Sequence, residues 1–187
     1  MKKLFFFLIA MGLFYFGCTD VGTNNINQPA TADKQVIQLP ESAGLATESN
    51  LSVSDLVNGD QGDVLSLAGK YQNKAGDNIL TIATLIIPRG AFDGKKNITM
   101  SVDQKYAGLD FSPSMIFEKS LSLTLSFTGL DLKSMGITNT NVGFYYVDDA
   151  GNLTPIQNLG VSVNFRVGSI TVVGAKIDHF SRYAFAH

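Results

Sequence analysis

The chain has 187 residues, enough for one domain with an additional segment, and 45% of them are apolar, which is sufficient for a buried core. Its formal net charge is −2 and its basic residues are scattered, which argues against nucleic acid as a partner. The single cysteine excludes an internal disulfide.

The N-terminus has the layout of an export signal. Lys2 and Lys3 precede residues 4–16, LFFFLIAMGLFYF, which carry no charge. These 13 residues are too few to cross a bilayer as a helix, which takes roughly 20, but they suit the apolar part of a signal peptide. We therefore predict a lipoprotein signal peptide at residues 1–17. Its removal leaves 12 basic and 16 acidic residues, a net charge of −4.

Cys18 is the predicted lipidation site. Gly17, a small residue directly before the cysteine, matches the position after which a lipoprotein signal peptidase cuts. Cys18 would then carry lipid on its sulfur and its amino group, and several acyl chains anchor a protein stably where one chain is marginal. The alternative is an ordinary signal peptide that is removed together with Cys18.

Residues 18–60 are predicted to be the lipidated cysteine followed by a flexible tether. The stretch TDVGTNNINQPATADKQ is small and polar, and it cannot bury enough apolar surface to offset the entropy of ordering it. Within the tether, VIQLP is interpreted as a short extended piece. The stretch SNLSVSDLV, with Leu51, Leu56 and Val57 as apolar positions, suggests one or two helical turns.

Residues 61–187 are predicted to form one β-domain, because apolar residues recur there at every second position. In SLSLTLSFTGL, the residues Leu121, Leu123, Leu125 and Phe127 alternate with serine and threonine, which indicates a strand with one packed face and one wet face. NITMSVD repeats the pattern. The stretch 141–156 predicts a hairpin that turns at DDAGN, and Gly168-Ser169 predicts a tight turn. About eight such strands and no convincing helix indicate an all-β fold, an antiparallel β-sandwich.

Three stretches, in the expected order, resemble the ZU-five domain family, in the version found in bacterial surface lipoproteins. LIIPRGAF (85–92) is similar to the family's IPxGAF motif. FSPSMIFEKSLSLTLSF (111–127) matches a second motif at Pro113 and Phe117, while Met115 and Ser120 depart from it. HFSRYAFA (179–186) resembles the HFSxY ending of these domains.

The resemblance implies a chemical hypothesis for His179, Phe180 and Ser181, because some members of the family cut themselves between the Phe and the Ser of this triplet. Ser181 Oγ would attack the Phe180 carbonyl carbon in an N-to-O acyl shift, His179 would act as the base, and water would hydrolyse the ester. The alternative is structural: His179 and Ser181 are ordinary strand residues and Phe180 is a core aromatic.

Other site types find little support in the sequence. Two histidines and one cysteine give no metal-ligand spacing, no cofactor is indicated, and DDAGN suits a turn better than a calcium loop. Tyr106 and the pair Tyr145-Tyr146 could stack a sugar, although alternation should bury one of the pair. The stretches Lys70–Asn78 and Gly108–Ser114 are predicted to be contact surfaces at the ends of the sandwich.

Taken together, the sequence predicts a lipid-anchored outer-membrane protein of the bacterial cell envelope, facing the periplasm or the exterior. Its β-sandwich is predicted to be a non-catalytic structural or interaction module with an unknown protein or glycan partner. Two alternatives stay open: a self-processing protein that cuts Phe180-Ser181 once, and a glycan-binding surface module.

Overall fold

The computed structural model describes residues 34–44 and 51–187, and these fold as two antiparallel β-sheets packed face to face. The sheets contain eleven strands: β1 (Ser52–Asn58), β2 (Asp63–Gln72), β3 (Asn78–Ile87), β4 (Lys95–Val102), β5 (Gly108–Ser112), β6 (Ile116–Thr128), β7 (Gly143–Val147), β8 (Leu153–Pro155), β9 (Gly160–Asn164), β10 (Ser169–His179) and β11 (Arg182–Ala186). The predicted antiparallel β-sandwich is confirmed, with eleven strands instead of about eight. No helix in the described ranges has the length and apolar character that crossing a bilayer requires.

The order of the strands places the end of the chain in the middle of a sheet. One sheet has the order β1-β4-β5-β11-β7-β8, and the other has the order β2-β3-β6-β10-β9. The last strand, β11, is therefore hydrogen-bonded on both sides, by β5 and β7. Because β10 and β11 belong to different sheets, the chain crosses the sandwich between them, at Phe180 and Ser181.

The core lies between the sheets and follows the alternation of the sequence. On β6, Leu121, Leu123, Leu125 and Phe127 are fully buried, while the serines and threonines between them face outward. The apolar face predicted for NITMSVD, the inner side of β4, is likewise buried. Each fully buried Leu or Phe side chain contributes about 1.5–3 kcal/mol relative to the exposed side chain, so these two strands supply much of the driving force for packing.

The predicted DDAGN hairpin turn is confirmed between β7 and β8. Gly151 has a φ of 83°, in the left-handed region that glycine adopts most easily, and its N–H donates to the Asp148 carbonyl at 3.0 Å. The Asn152 side-chain amide donates to the Asp148 carboxylate at 2.8 Å and, with the Asn152 backbone N–H, holds the pKa of that carboxyl below its usual range. The turn thus satisfies its own polar groups, which explains these residues without a calcium ion.

The prediction of a tether up to residue 60 is wrong for the described part of that range. Residues 34–44 are built into the domain: Ile37 and Leu39 are buried in the core, and Gln35 exchanges two backbone hydrogen bonds with His187, at 2.9 and 3.0 Å. The Ile37 N–H donates to Phe185, so the segment continues the sheet beside β11 where β5 has ended. The extended piece predicted at VIQLP is confirmed by the isolated bridges of Val36 and Gln38.

The helical turns suggested for SNLSVSDLV are also wrong, because residues 52–58 form the edge strand β1, paired with β4. Only one side of this strand meets the core, mainly through Val57, while Leu56 is 61% exposed. The sequence suggested a helix because Leu51, Leu56 and Val57 are all apolar, but Leu56 is exposed and does not belong to the buried face. The domain therefore begins by Lys34 and not at residue 61.

One of the two predicted contact surfaces is not an end loop. Gly108–Ser112 is the interior strand β5, and its Leu109 and Phe111 are buried, so only its last residue, Ser112, and the following Pro113 and Ser114 are exposed. The other stretch, Lys70–Asn78, does contain the exposed loop between β2 and β3.

Replacing Ile37 by Ala tests whether the N-terminal segment is part of the domain. We expect the free energy of unfolding to fall by about 2–4 kcal/mol, because the substitution removes buried methyl groups from a packed core. The measurement is urea denaturation, followed by circular dichroism, of the chain without residues 1–18. Gln38→Ala, at the neighbouring exposed position, should change stability by less than about 0.5 kcal/mol. Equal and small effects of both substitutions would show that the segment does not stabilise the fold.

Candidate functional site at the His179–Ser181 corner

The three residues of the predicted cleavage motif form the corner between the two sheets. His179 ends β10, Phe180 and Ser181 make the connection, and Arg182 begins β11. Sequence reasoning predicted the triplet but placed it simply in a strand. Its position at a crossing between sheets depends on the strand order and could not be derived from the local pattern.

Phe180 is a core residue with aromatic neighbours on two strands. Its side chain is 1% exposed, its ring stacks on Phe111 at a centroid distance of 5.0 Å, and Phe117 meets it edge-on at 4.8 Å. Such pairs stabilise by roughly 0.5–1.5 kcal/mol beyond the burial of area. Phe117 belongs to the motif at 111–127 and Phe180 to the motif at 179–186, so the two motifs that are far apart in sequence meet here.

The backbone around the corner is held by hydrogen bonds on both sides of the Phe180-Ser181 bond. The Phe180 N–H donates to the Met115 carbonyl at 2.8 Å, and the Ser181 carbonyl accepts from the Phe111 N–H at 3.1 Å. The Tyr183 hydroxyl donates to the His179 carbonyl at 2.6 Å. By contrast, the Phe180 carbonyl and the Ser181 N–H, which flank the bond itself, make no hydrogen bond within residues 34–44 and 51–187.

The side chain of His179 packs against tyrosines. The edge-to-face contact with Tyr146 has a centroid distance of 4.8 Å, and the Tyr183 ring lies at 5.9 Å. In the part of the chain that the structure describes, no hydrogen bond joins the imidazole to the Ser181 hydroxyl. A base that removes the hydroxyl proton needs a separation of about 2.6–3.2 Å in the reacting complex. The structure thus brings the three residues together without aligning His179 on Ser181.

A shallow cavity of about 670 Å³ opens beside the corner. Its lining comprises Ser114, Met115, Ile116, Asp178 and His179. The Asp178 carboxylate accepts a hydrogen bond from the Ser120 hydroxyl at 2.5 Å, and Ile116 is 84% exposed. The cavity leaves His179 accessible from outside, while the Asp178 carboxylate in the same lining accepts a hydrogen bond from Ser120 and makes none with the imidazole among the described residues.

Arg182 is a second feature of the corner that sequence reasoning missed. Its Nε lies 3.0 Å from Asp110 Oδ1 and 3.3 Å from Asp103 Oδ2, and the hydrogen bond with Asp110 raises the pKa of the guanidinium. Arg182 and Asp110 are directly paired in the β11–β5 register. The cluster therefore ties the start of β11 to its neighbour. The only local signal was an arginine directly after the HFS triplet.

The tyrosines considered for sugar stacking do not form one surface. Tyr145 is fully buried, and burial raises the pKa of its hydroxyl. Tyr146 contacts His179, and Tyr106 has the Lys105 ammonium over its ring at 5.0 Å. A platform built from Tyr145 and Tyr146 is thus excluded by the burial of Tyr145, as alternation predicted for one of the pair.

The two remaining site types considered are a metal site and the predicted lipidation site. Within residues 34–44 and 51–187, no group of three or more His, Cys, Asp or Glu side chains is placed to hold a metal ion. The predicted signal peptide and the predicted lipidation site, Cys18, lie outside the described residues.

Comparison with known proteins found no matching family model, no matching curated protein and no matching solved structure. The resemblance to the ZU-five family stays a prediction that rests on the three motifs.

Replacing Tyr183 by Phe tests whether the corner is held by its hydrogen bond. We expect a loss of about 1–2 kcal/mol, because the His179 carbonyl loses its partner in a half-buried site. Burial raises the pKa of the Tyr183 hydroxyl, so the neutral form is favoured in the folded state. The contribution of this hydroxyl to the free energy of unfolding is therefore fully present below the unfolded pKa of about 10 and is lost as the pH rises above it. The free energy of unfolding of Tyr183→Phe should accordingly fall less steeply at alkaline pH than that of the wild type.

The measurement is the free energy of unfolding from urea titrations between pH 7 and pH 11. Tyr146→Phe is the control, since no hydrogen bond of its hydroxyl is found among the described residues, and it should lose less than about 0.5 kcal/mol at pH 7. Equal losses in the two variants would mean that ring packing alone holds the corner.

Proposed function

We propose that this chain is a lipid-anchored protein of the bacterial outer membrane, and that its ZU-five-like β-sandwich is a non-catalytic structural or interaction module. The sequence supports the anchor through the basic start, the uncharged stretch and Gly17-Cys18. The observation that carries the non-catalytic role is the packing of Phe180 between Phe111 and Phe117. This packing and the flanking hydrogen bonds explain the terminal motif as a structural corner.

The fold also shows where a chain that comes from the anchor enters the domain. Residues 19–33 lie between Cys18 and Lys34, and a chain of that length spans at most about 55 Å when fully extended. Gln35 pairs with His187 at the end of β11, whereas the HFS corner precedes the start of β11. A chain anchored at Cys18 would therefore enter the domain beside His187, at the opposite end of β11 from the corner.

Metabolic labelling tests the anchor. In a Gram-negative host that is fed an alkyne fatty acid, we expect the full chain to take up the label and to fractionate with membranes, because Cys18 receives acyl chains. Cys18→Ala should lose the label without loss of the folded domain, which is checked by resistance to limited proteolysis. An unlabelled wild-type chain whose mature N-terminus lies after Cys18 would contradict the lipid anchor and favour an ordinary signal peptide.

Self-processing is the second candidate function, and one observation favours it. The carbonyl of Phe180 and the N–H of Ser181 have no hydrogen-bond partner in the described ranges, so no intramolecular hydrogen bond at this peptide group has to break when Ser181 attacks. In the proposed step, Oγ of Ser181 bonds to the carbonyl carbon, the C–N bond breaks, and the nitrogen takes the proton relayed by His179. Water then cleaves the ester.

An intact mass measured under denaturing conditions separates the two candidates. The released piece, residues 181–187, contains β11, which is hydrogen-bonded to strands on both sides and would stay bound in a native sample. We expect one full-length species for both the wild type and Ser181→Ala, because the imidazole is not aligned on the hydroxyl. Loss of residues 181–187 from the wild type alone would establish Ser181 as the nucleophile and replace the non-catalytic assignment of the corner.

A further inference from the structure

The outward side of the five-stranded sheet carries exposed aliphatic side chains on two neighbouring strands. Val64 on β2 and Leu80, Ile82 and Ile86 on β3 all point away from the core and are between 37% and 56% exposed. Val64 pairs directly with Ile86 across the two strands. A contiguous strip of this kind marks an interaction surface more often than single exposed residues do.

The next strand on the same side adds a row of hydroxyl groups. From Ser120 to Thr128 the outward residues of β6 are serines and threonines, and Ser126 Oγ lies 2.9 Å from Thr171 Oγ1 of β10. At the centre of this outward side, directly paired residues of β2, β3 and β6 form three rows that run across the strands. The rows are Val64–Ile86–Ser122, Ser66–Thr84–Thr124 and Ala68–Ile82–Ser126. We call these nine residues the hydroxyl–aliphatic face.

The hydroxyl–aliphatic face carries no charge, although the chain as a whole is acidic, with a net charge of −2. A basic or an acidic partner would find no opposite charge in it. Two copies of this chain, by contrast, can bring these faces together without opposing like charges, whereas like charges held against each other cost several kcal/mol.

The pattern of the face is also self-complementary. The row Ser66–Thr84–Thr124 lies in the middle, and the two flanking rows match each other: isoleucine faces isoleucine on β3, serine faces serine on β6, and valine faces alanine on β2. A twofold axis along the middle row therefore places Ile82 of one copy over Ile86 of the other, and Thr84 over Thr84. Twofold interfaces require this property, since the same patch serves both partners.

We propose that the hydroxyl–aliphatic face binds a second copy of this chain, with the twofold axis along the row Ser66–Thr84–Thr124. A contact that extends from this face over the outward residues of β10 and β9 involves five strands spaced by about 4.8 Å. About seven residues with a rise of 3.3 Å lie along four of these strands and about four along the short β9, which gives a footprint of about 500 Å² on each copy. The pair then buries about 1,000 Å², the lower limit for a specific interface. The wider contact includes one charged outward residue, Lys176 beside Ser122, and the axis places it over Thr171, so no like charges are opposed. The dimer is accordingly of modest affinity, and a shared membrane would favour it. The inference does not depend on the proposed anchor, because the face lies entirely within the described domain.

Photo-crosslinking of the full chain in cells tests this interface. Benzoylphenylalanine is placed at Ser66, on the predicted axis, and two versions of the chain with different tags after His187 are expressed together. We expect a product of twice the mass of one chain that carries both tags. The same probe at Asn97, which is exposed on β4 of the other sheet, should give no such product.

Charge substitutions at Thr84 test the register. Because Thr84 meets Thr84 across the axis, Thr84→Lys and Thr84→Glu should each lower the crosslinked yield at least tenfold when expressed alone, through like-charge repulsion. Expressed together, one with each tag, they should restore the yield to within about twofold of the wild type. This restoration also shows that both variants are folded. Ile116→Lys, at a more exposed apolar residue away from the face, should leave the yield unchanged.

Several results would overturn the proposal. These are the absence of a doubly tagged product from Ser66, an equal yield from Asn97, and a product that contains a different protein. Failure of the Lys and Glu variants to restore each other would overturn the register and with it the self-complementary face.

Discussion

The sandwich depends on the packing of Phe180 at the point where the chain leaves one sheet for the other. The ring lies between Phe111 of the six-stranded sheet and Phe117 of the five-stranded sheet, and it is fully buried. Two sheets that share only their apolar faces can slide past each other. An aromatic residue at the crossing, held by a backbone hydrogen bond to Met115, fixes where β11 enters the second sheet.

Because Phe180 fixes where β11 enters the six-stranded sheet, the position of β11 affects the whole domain. The last strand lies between β5 and β7, and residues 35–37 complete the sheet beside its end. The two ends of the described chain are therefore neighbours, and the central strand of the six-stranded sheet is in place only once the whole domain is present. Non-local pairing of this kind is slow to form, because the entropy of closing a long loop is lost before the contacts are gained.

The same architecture separates the surfaces that are available for function. The His179 corner lies at one end of β11, and the chain enters the domain at the other end, beside His187. The hydroxyl–aliphatic face of the five-stranded sheet is a third, independent surface. The point where the chain enters the domain, the accessible cavity and this face therefore lie on different parts of the domain.

The sequence by itself determined the class of fold, because burial on one face of a strand requires alternation and alternation is visible in single residues. Leu121 to Phe127 on β6 and the turn at Gly151 were predicted on this basis, and both are confirmed. Only the tertiary structure decided what each strand packs against. Edge strand β1 has too few buried positions to show a period, and Ile37 enters the core through pairing with the far end of the chain. The geometry of His179 and Ser181 was likewise decided at the crossing between sheets, because local sequence specifies which face a residue takes but not which distant residues lie opposite it.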